Sequence, residues 1–95
     1  MTKPTYMIAH GSLAVQAARI IAANAKVRED KARGYELAAQ WHDKQEKACR
    51  EIANDIRVGS HVNLKAAVAA THHGASAAGL RNAASGIRRK SLNEQ

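Results

Sequence analysis

Phenylalanine is absent from this sequence, and Trp41, Tyr6 and Tyr35 are its only aromatic residues. A core built around large rings is thereby excluded. Cys49 is the single cysteine, so the chain has no intrachain disulfide and no thiolate metal site. Its apolar neighbours at helical spacing cast it as a small core residue. No uninterrupted apolar run approaches the ~18 residues of a membrane span. The opening residues hold Lys3, Pro4 and few apolar side chains, which does not fit a signal peptide. These absences together fit a reducing, cytoplasmic setting. Acidic residues are also scarce, eight against fifteen Lys and Arg. The resulting charge of +7 favours a polyanionic partner, because neutralising phosphates releases condensed counterions.

What the sequence does have is alanine. Hydrophobic residues make up 45% of the chain, and Ala dominates them. Burying Ala removes little apolar area, so the few Ile, Leu and Val side chains carry much of the hydrophobic term. A domain of 95 residues has a thin core in any case. Helices packed through small residues, with a homodimer completing the core, are the expected solution.

The residue pattern is helical throughout, and no useful stretch alternates with period two. Pro4 and Gly11 break the lead, and Ser12 can cap a first helix carrying Leu13, Ala17, Ile20, Ile21 and Asn24 or Val27 on one stripe. Beyond the charged Lys26 to Arg33 segment and Gly34, a second apolar face runs through Ala38, Trp41, Gln45, Ala48, Cys49, Ile52 and Ile56. Over residues 12–57 two arrangements compete. One is a helical hairpin turning near Asn24 to Lys26 or at Gly34. The other is a single helix carried across Gly34 at about 1 kcal/mol relative to Ala. The hairpin is preferred, since a long helix with an Ala-rich stripe needs a partner throughout.

Val58-Gly59 ends this region and Ser60 can open a third helix, with Val62, Leu64, Ala67, Val68 and Thr71 inward and His72 to Gly74 at its end. Ser76 then opens a fourth helix, with Leu80, Ala83, Ala84 and Ile87 inward. The expected fold is therefore all-α, one domain over residues 1–95, a small bundle of three to four helices. It comprises the 12–57 hairpin, a helix–turn–helix-like pair over 60–90 and a frayed tail over 91–95.

Ala70, Gly74, Ser76 and Leu80 have the spacing of a close helix contact, a turn glycine, a helix cap and an aliphatic anchor. In this register the segment resembles the helix-turn-helix DNA-binding proteins of bacterial and phage regulators. The resemblance implies that the helix after Ser76 enters the major groove, with Ala77, Ala78, Arg81, Asn82 and Ser85 outward. It casts Arg81 as a guanine reader and Asn82 as an adenine reader. Arg88, Arg89 and Lys90 follow as phosphate contacts. The implied interface is thus Ser76, Arg81, Asn82, Ser85, Arg88, Arg89 and Lys90. His73, Ala75, Gly79 and Ala83 depart from the family's usual residue types.

The five histidines supply a rival constellation. His10, His42-Asp43, His61 and His72-His73 follow an order that resembles the HD-type metal-dependent phosphohydrolases. The spacing opposes it. His61 and His72 lie eleven residues apart, roughly 16 Å along one helix, and no Asp follows Asp55. His42, Asp43 and His10 are the first suspects if a metal binds, but no metal or cofactor is expected. Cys49 has no adjacent His to act as its base, and glycine phosphate-loop patterns are absent. The expected function is a non-enzymatic, nucleic-acid-binding regulator or accessory protein whose partner is double-stranded DNA. The alternative is a protein-binding inhibitor of host machinery encoded by a mobile element, similar in size and class to anti-CRISPR proteins, or a phage assembly component. Trp41 discriminates, since an interface anchor is exposed in the free chain and a core tryptophan is not.

Overall fold

A computed structural model describes the backbone of residues 5–93 and the side chains of residues 11–90. Two helices account for nearly all of it: α1 (Thr5–Ala53) and α2 (Ser60–Asn93). They fold back on each other as one extended antiparallel hairpin, 87 Å long and 19 by 11 Å across.

The seam between them can be read residue by residue. On α1 it takes Ala25, Arg28, Ala32, Tyr35, Ala39, His42, Glu46, Cys49 and Ala53, each buried or half-buried. On α2 it takes Asn63, Ala66, Ala70, His73, Ala77, Leu80, Ala84 and Ile87. Both rows advance by alternating steps of three and four, the spacing that keeps one face of a helix against a partner. The fully buried positions are Ala32, Ala39, Ala66, Ala70, Ala77 and Ala84, alanine in every case. Cross-helix bonds from His42 to His73 and from Asn63 to the Ile52 carbonyl fix the register. That register sets Ala39 level with Ala77 and Ala32 level with Ala84.

A methyl group buried in such a seam contributes on the order of 0.8 kcal/mol, against about 1.5–3 kcal/mol for a fully buried Leu or Val. No large side chain among the described residues is fully buried. The larger aliphatics expected inside, Val62, Leu64 and Val68 among them, lie exposed on α2.

The reversal is made where the sequence offers Val58-Gly59. Gly59 adopts φ +84°, a left-handed conformation that costs an L-residue roughly 1–2 kcal/mol. The carbonyls that α1 leaves unpaired at its C-terminus find donors across the turn. The Asn63 side-chain amide donates to the carbonyls of Ile52 at 2.7 Å and Asp55 at 2.8 Å. The Asp55 carboxylate in turn accepts from the Arg57 backbone N–H and guanidinium, at 2.9 Å each.

The three-to-four-helix bundle is therefore overturned. Residues 12–53 of the expected 12–57 hairpin form one helix, because the alanine seam runs unbroken past Gly34 from Ala32 to Ala39 and outweighs the cost of an interior glycine. Gly34 has open space around its Cα and no turn. Residues 60–90 are likewise one helix, with neither a turn at Gly74 nor a helix start at Ser76. His72 and His73 consequently sit in mid-helix rather than at a helix end. The irregular lead expected through Gly11 is helical from Thr5, and helix also continues through residues 91–93 of the expected tail. Residues 1–4 and 94–95 lie outside the described residues.

The two helices also differ in length, 49 residues against 34. The ion pair of Arg88 with Glu29 shows how far down α1 the second helix reaches. Beyond it, every described side chain from Gly11 to Asn24 is exposed. Gly34→Ala should stabilise the fold by about 0.5–1 kcal/mol through helix propensity, whereas Gly59→Ala should destabilise it by about 1 kcal/mol or more. Urea unfolding followed by circular dichroism checks both signs, and a loss of stability in Gly34→Ala would restore a turn at that position.

Candidate nucleic-acid interface

The residues first assigned to DNA contact do not share one face of α2. Arg81 and Arg88 lie on the flank turned toward α1 and are engaged there. The Arg81 guanidinium forms a two-point pair with the Asp43 carboxylate. Arg88 reaches two carboxylates, Glu29 at 2.7 and 3.0 Å and Glu36 at 2.5 and 3.4 Å. Asn82, Ser85 and Arg89 are exposed on the outer side of α2, while Ser76 and Lys90 are exposed on the flank away from Arg81 and Arg88. Ala77, placed outward by the helix-turn-helix pattern, is buried in the seam. Ala70 does allow close helix approach, but its partner is α1.

The electrostatics of these staples are local. Hydrogen bonds from Arg88 hold the Glu29 and Glu36 carboxyls below the usual glutamate range, and the bond from Arg81 does the same for Asp43. Arg88 and Arg81 are raised in return by those same carboxylates. All of these groups remain in contact with solvent, so each pair is a modest, salt-sensitive contribution. Their number matters because the seam itself is thin.

At the middle of the seam His42 and His73 approach with Nδ1 to Nδ1 at 2.8 Å. One ring must donate and the other accept, so the bond exists only while at least one imidazole is neutral. Trp41 packs edge-on against both rings, with centroids at 4.9 and 5.7 Å, yet its own side is 54% exposed. The Glu46 carboxylate lies over Gly74, where a Cβ would collide with it, so Gly74 provides room for a neighbour rather than a turn. His42 thus faces His73, and Asp43 faces Arg81. No group of three or more His, Cys, Asp or Glu among the described residues is placed to hold a metal ion. His10 lies outside the described side chains.

A feature missed in the sequence emerges once α1 is known to be continuous. Arg19, Lys26, Arg33 and Lys47 fall at multiples of seven residues, with Gln40 filling the missing step. On an unbroken helix they form one line of exposed cations spaced about 10 Å or its double. Most of the acids near it are committed within the chain. Glu29, Asp30, Glu36, Asp43, Glu46 and Asp55 all form ion pairs. Lys26 shares Asp30, but both are mostly solvated, which makes the pair weak. The seven-residue recurrence was legible in the sequence, but only on the premise of a helix uninterrupted at Gly34. A second basic group, Arg28, Lys31 and Lys90 beside Ile87, lines a groove of about 210 Å³ near the end of α2.

No family model matches this chain, and neither a curated protein nor a solved structure matches it. Among the described residues no helix is long and apolar enough to cross a membrane.

The depressed carboxylates give a definite pH dependence. Their stabilisation is complete above the ordinary carboxylate range, about 3.9–4.3, and is lost as pH falls through the lower folded values. Melting followed by circular dichroism should show an acid-limb loss of stability below about pH 4.5. Arg88→Met should be less stable at pH 7 and show a shallower acid limb, with the difference from the parent shrinking in high salt.

Proposed function

We propose that this protein binds nucleic acid non-enzymatically as an accessory factor, through the line of cations along α1 rather than through a recognition helix in α2. The observation that carries the reading is the row Arg19, Lys26, Arg33 and Lys47, exposed on one continuous helix while Glu29, Glu36 and Asp43 are drawn into cross-helix ion pairs. Cations at intervals of about 10 Å along a straight rod suit the phosphate backbone of a duplex, which offers a charge every ~1.7 Å of axis. Phosphate contacts position a protein without reading bases, so binding on these residues is independent of sequence. Arg81 and Arg88 act here as interhelical staples. Arg89 and Lys90, exposed at the end of α2, extend the basic surface.

A second reading, a surface for a protein partner, is favoured by the exposure of Trp41.

Fluorescence anisotropy with duplex DNA of two unrelated sequences, titrated in salt, tests the first reading. The expected result is equal affinity for both sequences and a log–log salt slope of about −3 to −4 for four phosphate contacts. Arg19→Gln and Lys47→Gln should each reduce that slope by about 1 without changing thermal stability. Undetectable binding at low salt overturns the reading and leaves the protein-partner surface in its place.

A further inference from the structure

Alongside its seam with α2, α1 carries a second row of small and apolar residues at the same alternating three–four spacing, one position earlier in the sequence. Leu13, Ile20, Val27, Trp41 and Ile52 are its large members, all exposed. Ala17, Gly34, Ala38 and Ala48 lie between them. The row extends from Leu13 to Ile52, about 58 Å of helix, and includes the overhang that α2 does not reach. Lys31 is its only charged residue, whereas the basic row through Arg33 occupies a different side of α1.

We propose that a second copy of this chain docks on this row, α1 antiparallel to α1, to give a two-fold symmetric four-helix dimer. Three observations select that occupant. The first is length. A row spanning 40 residues needs a partner helix at least as long, and within this chain α2, with 34 residues, is too short while α1, with 49, is not.

The second is self-complementarity. When two α1 helices overlap along their whole length, the two-fold axis falls near Glu29. Trp41 then lies level with Ala17 of the partner subunit, and Ile20 level with Ala38 of the partner subunit. Large side chains thus meet small ones at these two positions, Leu13 falls level with Gln45 of the partner subunit and Val27 with Lys31 of the partner subunit, and the overhang of each protomer covers the exposed Trp41 region of the other. The interface is isologous, as a two-fold requires.

The third is area. Helices in contact over about 58 Å bury on the order of 1,000 Å² or more in total, the range of a specific interface. With an intramolecular seam in which no large side chain is fully buried, this row is where Leu13, Ile20, Val27, Trp41 and Ile52 leave water. The proposal is independent of binding through Arg19, Lys26, Arg33 and Lys47, which stay outside the contact, whereas Lys31 of the second basic group lies within it.

Sedimentation equilibrium of the nuclease-treated full chain tests it. The expected mass is twice the 10.2 kDa of the protomer at micromolar concentration. A monomer at 100 µM, or a trimer or larger species, overturns the proposal. Leu13→Asp/Ile20→Asp lies outside the contact with α2, so it should give a monomer with retained helical circular dichroism. Leu64→Asp/Val68→Asp on α2 should remain dimeric. A dimer that survives Leu13→Asp/Ile20→Asp removes the row as the interface. Orientation is read in a Cys49→Ala background by mixing Ile20→Cys and Ala38→Cys chains under oxidation. A 20–38 cross-link is expected, and a 20–20 cross-link alone overturns the antiparallel arrangement.

Discussion

The close fit of α1 on α2 through alanine is the constraint on which the rest of this structure depends. Ala32, Ala39, Ala66, Ala70, Ala77 and Ala84 are its buried positions, and no large side chain among the described residues is fully buried. Small residues let backbones approach but remove little apolar surface from water. The hairpin therefore has a long contact with a weak hydrophobic term per residue. Two further features follow from that weakness. Charged staples are placed where the helices flank each other, Arg81 on Asp43 and Arg88 on Glu29 and Glu36. The larger aliphatics remain outside, on surfaces available to another molecule.

The staples also redistribute the chain's charge. An overall excess of cations says only that the protein is basic. Most of the described acids pair with nearby or cross-helix arginines and lysines, while Arg19, Arg33 and Lys47 stand exposed along one line of α1. The cationic row and the apolar row are separate surfaces, because they sit on different faces of the same helix. Trp41 belongs to the apolar side. It braces the His42–His73 pair from above while leaving half of itself exposed.

The sequence was a good guide to helix and a poor guide to where helices end. Ala38, Trp41, Gln45, Ala48, Cys49, Ile52 and Ile56 have the periodicity of a buried face, yet of these the seam takes only Cys49, in a row one position later through Ala39, His42, Glu46, Cys49 and Ala53. Both rows satisfy the same spacing. The choice between them depends on the residues of α2 that lie opposite, among them His73, which bonds His42, and Gly74, which leaves room for Glu46. Gly34, Gly74 and Ser76 misled for a related reason. Glycine and serine mark turns and caps by local preference, and a preference of about 1 kcal/mol yields when a seam continues on both sides.

By itself the sequence determined an all-α chain, a basic surface, a break at Val58-Gly59 and a core too rich in alanine to be thick. Each of these follows from composition or from the conformation open to one residue. Only the tertiary structure decided that there are two helices rather than four, that Arg81 and Arg88 face α1, and that α1 outruns its partner and leaves Leu13 and Ile20 uncovered. Those outcomes depend on register between segments far apart in the chain. Local pattern leaves that register undetermined when nearly every candidate face is lined with alanine.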